Sequence, residues 1–103
     1  MRALIANTTA IYREVISTTL REVRPEIEVF TAEPVALDRE FSRLLPQLVV
    51  CNRPTKRVEL EAFVWIEHYP DGASHAVVKH LDGSRTFLPT MDFDKLLAIL
   101  DGF

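Results

Sequence analysis

Cysteine, glycine and long apolar stretches are all scarce in this sequence, and each shortage excludes a class of protein. A single cysteine, Cys51, leaves no intramolecular disulfide, as is usual for proteins of the reducing cytoplasm, where we expect this one to reside. Three glycines among 103 residues form no glycine-rich phosphate loop. No run approaches the roughly 18 apolar residues of a transmembrane helix, so no membrane partner is expected.

Positive charge is not in excess in either half of the chain. Residues 1–54 carry seven arginines and seven acidic residues, and residues 55–103 carry five basic and eight acidic residues. The net charge of the whole chain is −3. Because binding to the phosphates of nucleic acid depends on an excess of lysine and arginine, we expect no nucleic acid partner.

Three short apolar runs in residues 1–54 predict three buried strands. The runs alternate with segments whose apolar residues recur at helical spacing, which gives the order β-α-β-α-β. Such an order implies parallel strands joined by right-handed crossovers, and we place the first strand between the other two. The predicted strands are residues 2–6, 27–30 and 48–51.

The segments between these strands are predicted helices. The first helix follows Thr8 or Thr9, either of which could cap it, and ends before Pro25. The second covers residues 34–45 and ends at Pro46. Spacings of three and four place one apolar stripe on each helix. The stripe residues are Ile11, Val15, Ile16, Leu20 and Val23 in the first helix, and Leu37, Phe41, Leu44 and Leu45 in the second.

Residues 55–103 predict an antiparallel β-meander followed by one helix. Pro70-Asp71-Gly72 and Asp82-Gly83 are turn sequences between three predicted strands. The closing helix is predicted over residues 91–100. The polar stretch 53–57 is the predicted linker between the two halves of a single domain, whose fold class is α/β with one mixed sheet. The three strands of the meander are residues 62–69, 74–81 and 85–88.

Residues 1–54 resemble the N-terminal half of a bacterial response-regulator receiver domain, the CheY-like fold. The likeness rests on the order of strands and helices, on the position of the second strand, and on the segment PQLVVCN at residues 46–52. Receivers have a segment similar to PDLVLLD at this place. The resemblance implies a receiver-like half of the sheet and a site where its first and third strands end.

What the resemblance implies about chemistry depends on four residues at those strand ends. Asn52 stands where a receiver has the aspartate that accepts a phosphoryl group, and an amide lacks that nucleophilic carboxylate. Asn7 and Thr8 stand where the family has the acidic pair that holds Mg²⁺. Together with Cys51 these residues are predicted to form a degenerate phosphoacceptor pocket, without a metal or another cofactor.

We therefore predict a non-enzymatic, phosphorylation-independent module for regulation or protein interaction, a pseudo-receiver. Lys79 is the only candidate for the lysine that receivers require, and an ordinary strand lysine is the favoured interpretation. The three histidines lack the spacing of a metal site. The alternative is a small-molecule-binding domain, because Asn7, Cys51 and Asn52 could hydrogen-bond a neutral polar ligand.

The meander supplies a candidate interaction surface. Trp65 and Tyr69 share one face of their predicted strand with Phe63, and three aromatic residues on one face are usually core. If no helix covers that face, they would form an exposed apolar patch and hence a binding surface. Arg85 and Phe87 lie on the last strand, which is expected to be an open edge of the sheet. These four residues are predicted to bind another protein, or a second copy of the chain in a homodimer.

Overall fold

The apolar runs of the sequence form one six-stranded sheet in the computed structural model, which describes residues 1–70 and 74–103. The sheet has the order β2-β1-β3-β4-β5-β6. Strands β1 to β4 are parallel, and β5 and β6 run antiparallel to their neighbours. The predicted α/β class, the mixed sheet and the position of the first strand are confirmed. The strands are β1 (Arg2–Ala6), β2 (Glu28–Thr31), β3 (Leu48–Cys51), β4 (Val64–His68), β5 (Ala76–Lys79) and β6 (Arg85–Leu88).

Four α-helices cover the two faces of this sheet, and a 3-10 turn at Pro34–Ala36 precedes the second. Two separate clusters of buried side chains lie between helices and sheet: one includes residues of the first and last helices, the other residues of the second and third. We call the two sides of the sheet the α1/α4 face and the α2/α3 face. The helices are α1 (Ala10–Val23), α2 (Leu37–Leu44), α3 (Lys56–Glu61) and α4 (Phe93–Asp101).

The central strands are buried on both sides, which explains their uninterrupted apolar sequence. Along β1, Ala3 and Ile5 belong to the cluster on the α1/α4 face, whereas Leu4 and Ala6 belong to the cluster on the α2/α3 face. Each of these four residues is almost completely buried. Because successive strand residues point to opposite faces, the same alternation applies to β3.

The stretch predicted as a linker instead starts helix α3. Thr55 caps this helix, because its Oγ1 accepts a hydrogen bond from the Val58 N–H (3.1 Å). Val58 is completely buried, but Leu60 is 75% exposed, so the helix has only a short apolar stripe. The prediction of a single helix in residues 55–103 is therefore wrong. As the crossover between β3 and β4, α3 makes β4 a fourth parallel strand.

The inward face of α1 differs from the predicted stripe. Ile11 is 72% exposed and Val15 is also exposed, whereas Leu20 is completely buried. Tyr12 is the inward side chain of the first turn. It stands eight residues before Leu20, and its hydroxyl forms a hydrogen bond with His68 of β4. Thr9 occupies the N-cap position as predicted, but its side chain accepts no capping hydrogen bond.

The ends of the other helices follow from local backbone chemistry. α2 begins at residue 37, since residues 34–36 form the 3-10 turn. Its predicted inward residue Leu45 is exposed and has a left-handed backbone (φ 48°), which ends the helix. Asp92 caps α4, as its Oδ1 accepts a hydrogen bond from the Lys95 N–H (2.9 Å).

The hairpin between β5 and β6 forms where Asp82-Gly83 predicted it. The His80 N–H donates to the Ser84 carbonyl (2.8 Å), and Gly83 has φ 87°, a conformation that favours glycine. The predicted turn at Pro70-Asp71-Gly72 lies mostly outside the described residues. Within the described ranges, no helix has the length and hydropathy needed to cross a bilayer.

Candidate functional site

The carboxyl ends of β1, β3 and β4 meet at one edge of the sheet. Three of the predicted pocket residues lie together there: Asn7, Thr8 and Asn52. Asn7 follows β1 and Asn52 follows β3. Asn7 is completely buried, and its Nδ2 donates to Asn52 Oδ1 (3.1 Å) and to the carbonyl of His68, the last residue of β4 (3.0 Å). One amide group thus joins the ends of three neighbouring strands. We call this place the crevice.

Asn52 has its side-chain oxygen engaged by two donors. Its Oδ1 accepts the Asn7 amide hydrogen and also the backbone N–H of Thr8 (2.9 Å). Arg13 completes the loop after β1, because its Nη1 donates to the Asn7 carbonyl (2.7 Å) and to the Thr8 carbonyl (3.1 Å). The position of the phosphoacceptor in the receiver pattern is therefore a neutral hydrogen-bond acceptor that fixes two loops.

The orientation of the Asn7 amide follows from its neighbours. Both groups that contact Nδ2 are oxygen acceptors, so exchanging the amide nitrogen and oxygen would bring pairs of oxygens together. In this orientation Asn7 Oδ1 is buried and has no hydrogen-bond partner among the described residues. The Asn7 side chain therefore stabilises the fold through the two hydrogen bonds that its Nδ2 donates.

Cys51 lies outside the crevice, although it precedes Asn52. It belongs to the buried cluster on the α2/α3 face and is 1% exposed. Burial, together with the negative charge of Glu67, raises the pKa of the Cys51 thiol to about 12. The thiol is therefore protonated at neutral pH and packs as a small apolar side chain. This corrects the sequence-based assignment of Cys51 to the pocket.

A chain of hydrogen bonds that was not predicted links α1, β4 and the segment before α4. Tyr12 Oη lies 2.6 Å from His68 Nδ1, and His68 Nε2 lies 3.0 Å from Ser74 Oγ. Ser74 Oγ in turn donates to the Met91 carbonyl (3.3 Å). Because Ser74 uses its hydrogen for that carbonyl, it accepts from His68 Nε2–H.

The direction of the hydrogen bond between Tyr12 and His68 depends on the protonation states of these two residues. Burial lowers the pKa of His68, and the nearby His75 lowers it further. Burial raises the pKa of Tyr12 to about 12. Both shifts favour a neutral His68 and a protonated Tyr12, so His68 Nδ1 accepts the hydrogen of the Tyr12 hydroxyl. A signal was present in the sequence, since Tyr12 stands four residues before Ile16, but the role of His68 depended on tertiary structure.

A cavity of about 240 Å³ lies beside this chain on the α1/α4 face. Tyr12 and His68 form part of its wall, and the rest is mainly apolar. Neither Asn7 nor Asn52 lines it, so the cavity is distinct from the ligand site considered from the sequence. Its apolar lining includes Ile16, Val50, Ile66 and Leu96.

The described residues form no metal site, and Lys79 lies far from the crevice. Within residues 1–70 and 74–103, no group of three His, Cys, Asp or Glu side chains converges as a metal site. Lys79 Nζ donates to the Ala62 and Phe63 carbonyls (both 3.0 Å), which precede β4. These carbonyls lie at the amino end of β4, whereas the crevice is at its carboxyl end, so Lys79 is remote from Asn52.

The α2/α3 face is left uncovered over β5 and β6. Phe87 is 63% exposed, and Arg85 is also exposed. The rings of Tyr69 and His75 stack with centroids 4.9 Å apart, and His75 and Phe87 follow at 6.1 Å. We call Tyr69, His75 and Phe87 the aromatic row; it crosses from the end of β4 to the edge strand β6.

Trp65 belongs to the core and not to the exposed surface, so of the two alternatives left open by the sequence the core interpretation holds for this residue. It is 1% exposed and belongs to the buried cluster on the α2/α3 face. The guanidinium of Arg85 lies 5.1 Å from the centroid of its ring, a cation–π distance. Of the four residues predicted for the surface, Tyr69, Arg85 and Phe87 therefore lie at or near it, and Trp65 supports Arg85 from below.

Comparisons of this chain with protein-family models, with curated proteins and with solved structures found no match. The likeness of residues 1–54 to receivers stays a prediction. Function is therefore inferred from the geometry of the crevice and of the uncovered sheet face.

Proposed function

We propose that this protein is a non-enzymatic, phosphorylation-independent regulatory module that acts by binding a protein. The observation that carries this proposal is the state of Asn52, whose Oδ1 accepts hydrogen bonds from Thr8 and Asn7 (2.9 and 3.1 Å). An amide at this place has no carboxylate with which to form an acyl phosphate. Its oxygen stabilises the loops that a receiver would rearrange around a phosphoryl group and Mg²⁺.

The charges near the crevice support the same proposal. Mg²⁺ is bound mainly by carboxylate and water oxygens. Asn7 and Thr8 supply an amide and a hydroxyl instead, and the carboxylate of Glu67, on β4, accepts a hydrogen bond from Tyr69 Oη. Glu67 also alternates onto the same sheet face as the buried Cys51, its partner in the β3–β4 pairing. The Glu67 carboxylate therefore contacts the aromatic row, through its hydrogen bond with Tyr69.

The uncovered part of the α2/α3 face is the proposed binding surface. Arginine and aromatic residues are enriched at protein interfaces, because they combine large contact areas with directional interactions. Here Arg85 is held over Trp65, and Phe87 contacts His75 in a tilted arrangement at the end of the aromatic row. Both side chains are therefore partly ordered before binding, which lowers the entropy lost on association.

Incubation with acetyl phosphate and Mg²⁺, followed by intact-mass measurement, tests whether the protein accepts a phosphoryl group. We expect no added phosphoryl mass on the wild-type chain. The matched variant Asn52→Asp restores the carboxylate alone, and is also expected to stay unmodified because Asn7 and Thr8 provide no metal ligand comparable to the acidic pair. A stable phosphoryl adduct on the wild-type chain would refute the proposed function.

A second candidate function is binding of a small, largely apolar molecule in the cavity beside Tyr12 and His68. The cavity of about 240 Å³ is smaller than most ligand pockets, so it fits only a small compound. A thermal-shift screen tests this. A compound that binds there should raise the Tm of the wild-type chain and of Asn52→Ala alike. The cavity-filling variant Ile16→Phe should abolish the shift.

A further inference from the structure

β6, the last strand, forms one edge of the sheet. Because the His80 N–H donates to the Ser84 carbonyl, alternation turns the backbone groups of residues 84, 86 and 88 toward β5. The N–H and C=O groups of Arg85 and Phe87 therefore point away from the sheet. Within the described parts of the chain, no hydrogen bond to these four groups is present.

The opposite edge of the sheet, β2, is protected. The Glu28 N–H donates to the Met1 carbonyl (2.9 Å), so the backbone groups of Val29 point outward. Arg21 Nη2 donates to the Val29 carbonyl (2.7 Å), which occupies the acceptor that a new strand would need. Exposed charge and occupied backbone groups are usual protections of edge strands. Of the two edges, β6 is the one prepared to accept another strand.

We propose that β6 pairs with β6 of a second copy, antiparallel about a two-fold axis at Thr86. In this register Arg85 lies opposite the partner's Phe87, and all four outward backbone groups of each chain are used. Four hydrogen bonds cross the interface. A two-fold axis at Phe87 would instead place Arg85 opposite the partner's Pro89, which has no N–H and loses part of the ladder.

Side chains also favour pairing about Thr86. On the α2/α3 face, the Arg85 guanidinium lies 5.1 Å from the centroid of its own Trp65, and the stem of the same side chain would pack beside the partner's Phe87. On the other face Thr86 would meet the partner's Thr86, a favourable pair of β-branched residues. No like charges face each other. The two aromatic rows would then join across the interface.

This inference rests on the proposed interaction function and adds the identity of the partner. Two features favour a second copy over an unrelated strand: the edge is self-complementary under two-fold symmetry, and Arg85 and Phe87 satisfy each other. A four-residue edge gives a small interface, typical of a transient complex. Association is therefore expected to depend on concentration and to populate monomer on dilution.

Disulfide trapping tests the register. Thr86→Cys would place two sulfur-bearing residues opposite each other in a non-hydrogen-bonded pair, with Cα atoms about 4.5 Å apart, within the range for a disulfide. The control Phe87→Cys would separate them diagonally, by about 7–8 Å. We expect oxidation to link most Thr86→Cys chains and few Phe87→Cys chains. The native Cys51 is buried. The opposite pattern, or no link in either, overturns the proposed register.

Charge pairing and sedimentation test the same contact without a cross-link. Thr86→Lys and Thr86→Glu should each sediment as monomers, and an equimolar mixture should form a heterodimer, since like charges repel only within each variant. Phe87→Pro removes an outward N–H and leaves the β5 ladder intact. It should raise the dissociation constant at least about tenfold, because two of four hydrogen bonds are lost.

Different experiments would refute the proposed function and the proposed pairing of β6. A folded wild-type chain that remains monomeric at every accessible concentration overturns self-pairing through β6. A stable phosphoryl adduct refutes the phosphorylation-independent function, whatever the oligomeric state. Circular dichroism of each variant confirms that the sheet is retained, so loss of association is read only from folded chains.

Discussion

Replacing Asn52 by alanine removes the one acceptor that joins the loops after β1 and β3. The Thr8 N–H belongs to an exposed residue, so water can replace its lost acceptor at little cost. Asn7 is completely buried, and its Nδ2 would keep only the His68 carbonyl as acceptor. A buried donor without its partner costs about 1–3 kcal/mol. We expect Asn52→Ala to lower the free energy of unfolding by that amount.

Urea denaturation followed by circular dichroism measures this loss directly. A domain of about this size shifts its Tm by roughly 4–8 °C for each kcal/mol, so thermal melts provide an independent reading. Thr8→Ala is the matched control, because it retains the N–H that contacts Asn52 and removes only an exposed hydroxyl and methyl group. Its expected loss is less than about 0.5 kcal/mol.

Asn52→Asp separates the geometry of the acceptor from its charge. A carboxylate can accept both hydrogen bonds, so the variant should retain most of the stability that Asn52→Ala loses. Equal losses in Asn52→Ala and Thr8→Ala would refute the reasoning, because they would show that the shared acceptor does not hold the crevice together.

Three further outcomes are expected. Burial lowers the pKa of His68 from 6.5, so its contribution to stability is complete above pH 6.5 and is lost as the pH falls through the lowered pKa. His68→Gln should therefore flatten the pH dependence of the unfolding free energy, measured by urea denaturation. An unchanged pH dependence in this variant would contradict the prediction. Val58 is completely buried and Leu60 is 75% exposed, so Val58→Ala should cost about 2 kcal/mol in unfolding free energy and Leu60→Ala less than about 0.5 kcal/mol. Arg85→Ala should expose Trp65, the sole tryptophan, which is measured as increased acrylamide quenching; unchanged quenching would mean that Arg85 does not cover the ring.

The central strands β1 and β3 were predictable because they are buried on both faces. Leu48–Cys51 is buried along its whole length, and such a strand has an apolar sequence without interruption. Pro25 and Pro46 also fixed the ends of α1 and α2 to within two residues. In residues 1–54, local sequence therefore determined the order of the strands and α-helices, and the crossover rule determined how the first three strands pair.

Helix faces were less predictable, because apolar composition alone misplaces amphipathic residues. The ring of Tyr12 turns inward while its hydroxyl bonds His68, so the buried side of α1 includes a polar group and excludes Ile11. α3 gave no usable signal, since Val58 is its one buried residue. Its existence depends on the cap at Thr55 and on the need to cross from β3 to β4.

The neutral chemistry of the crevice could be predicted from the residue types, but the set of residues that form the crevice could not. Asn7 and Asn52 follow strands that the sequence located, so their neutral character was evident. Cys51 was assigned to the wrong side, although strand alternation places it on the same face as Val49. The Asn7 bond to the His68 carbonyl could not be predicted, because it required knowing that β4 is parallel to β3.

One peptide group connects the crevice with the uncovered sheet face. The His68 carbonyl accepts from Asn7 Nδ2 (3.0 Å), and the N–H of the same peptide group, that of Tyr69, donates to the His75 carbonyl (3.2 Å). Asn7 and the aromatic row are therefore attached to opposite sides of one planar unit. The neutral amide of Asn7 holds this unit in one arrangement. That rigid link is the physical reason to expect a binding surface that is constitutively formed.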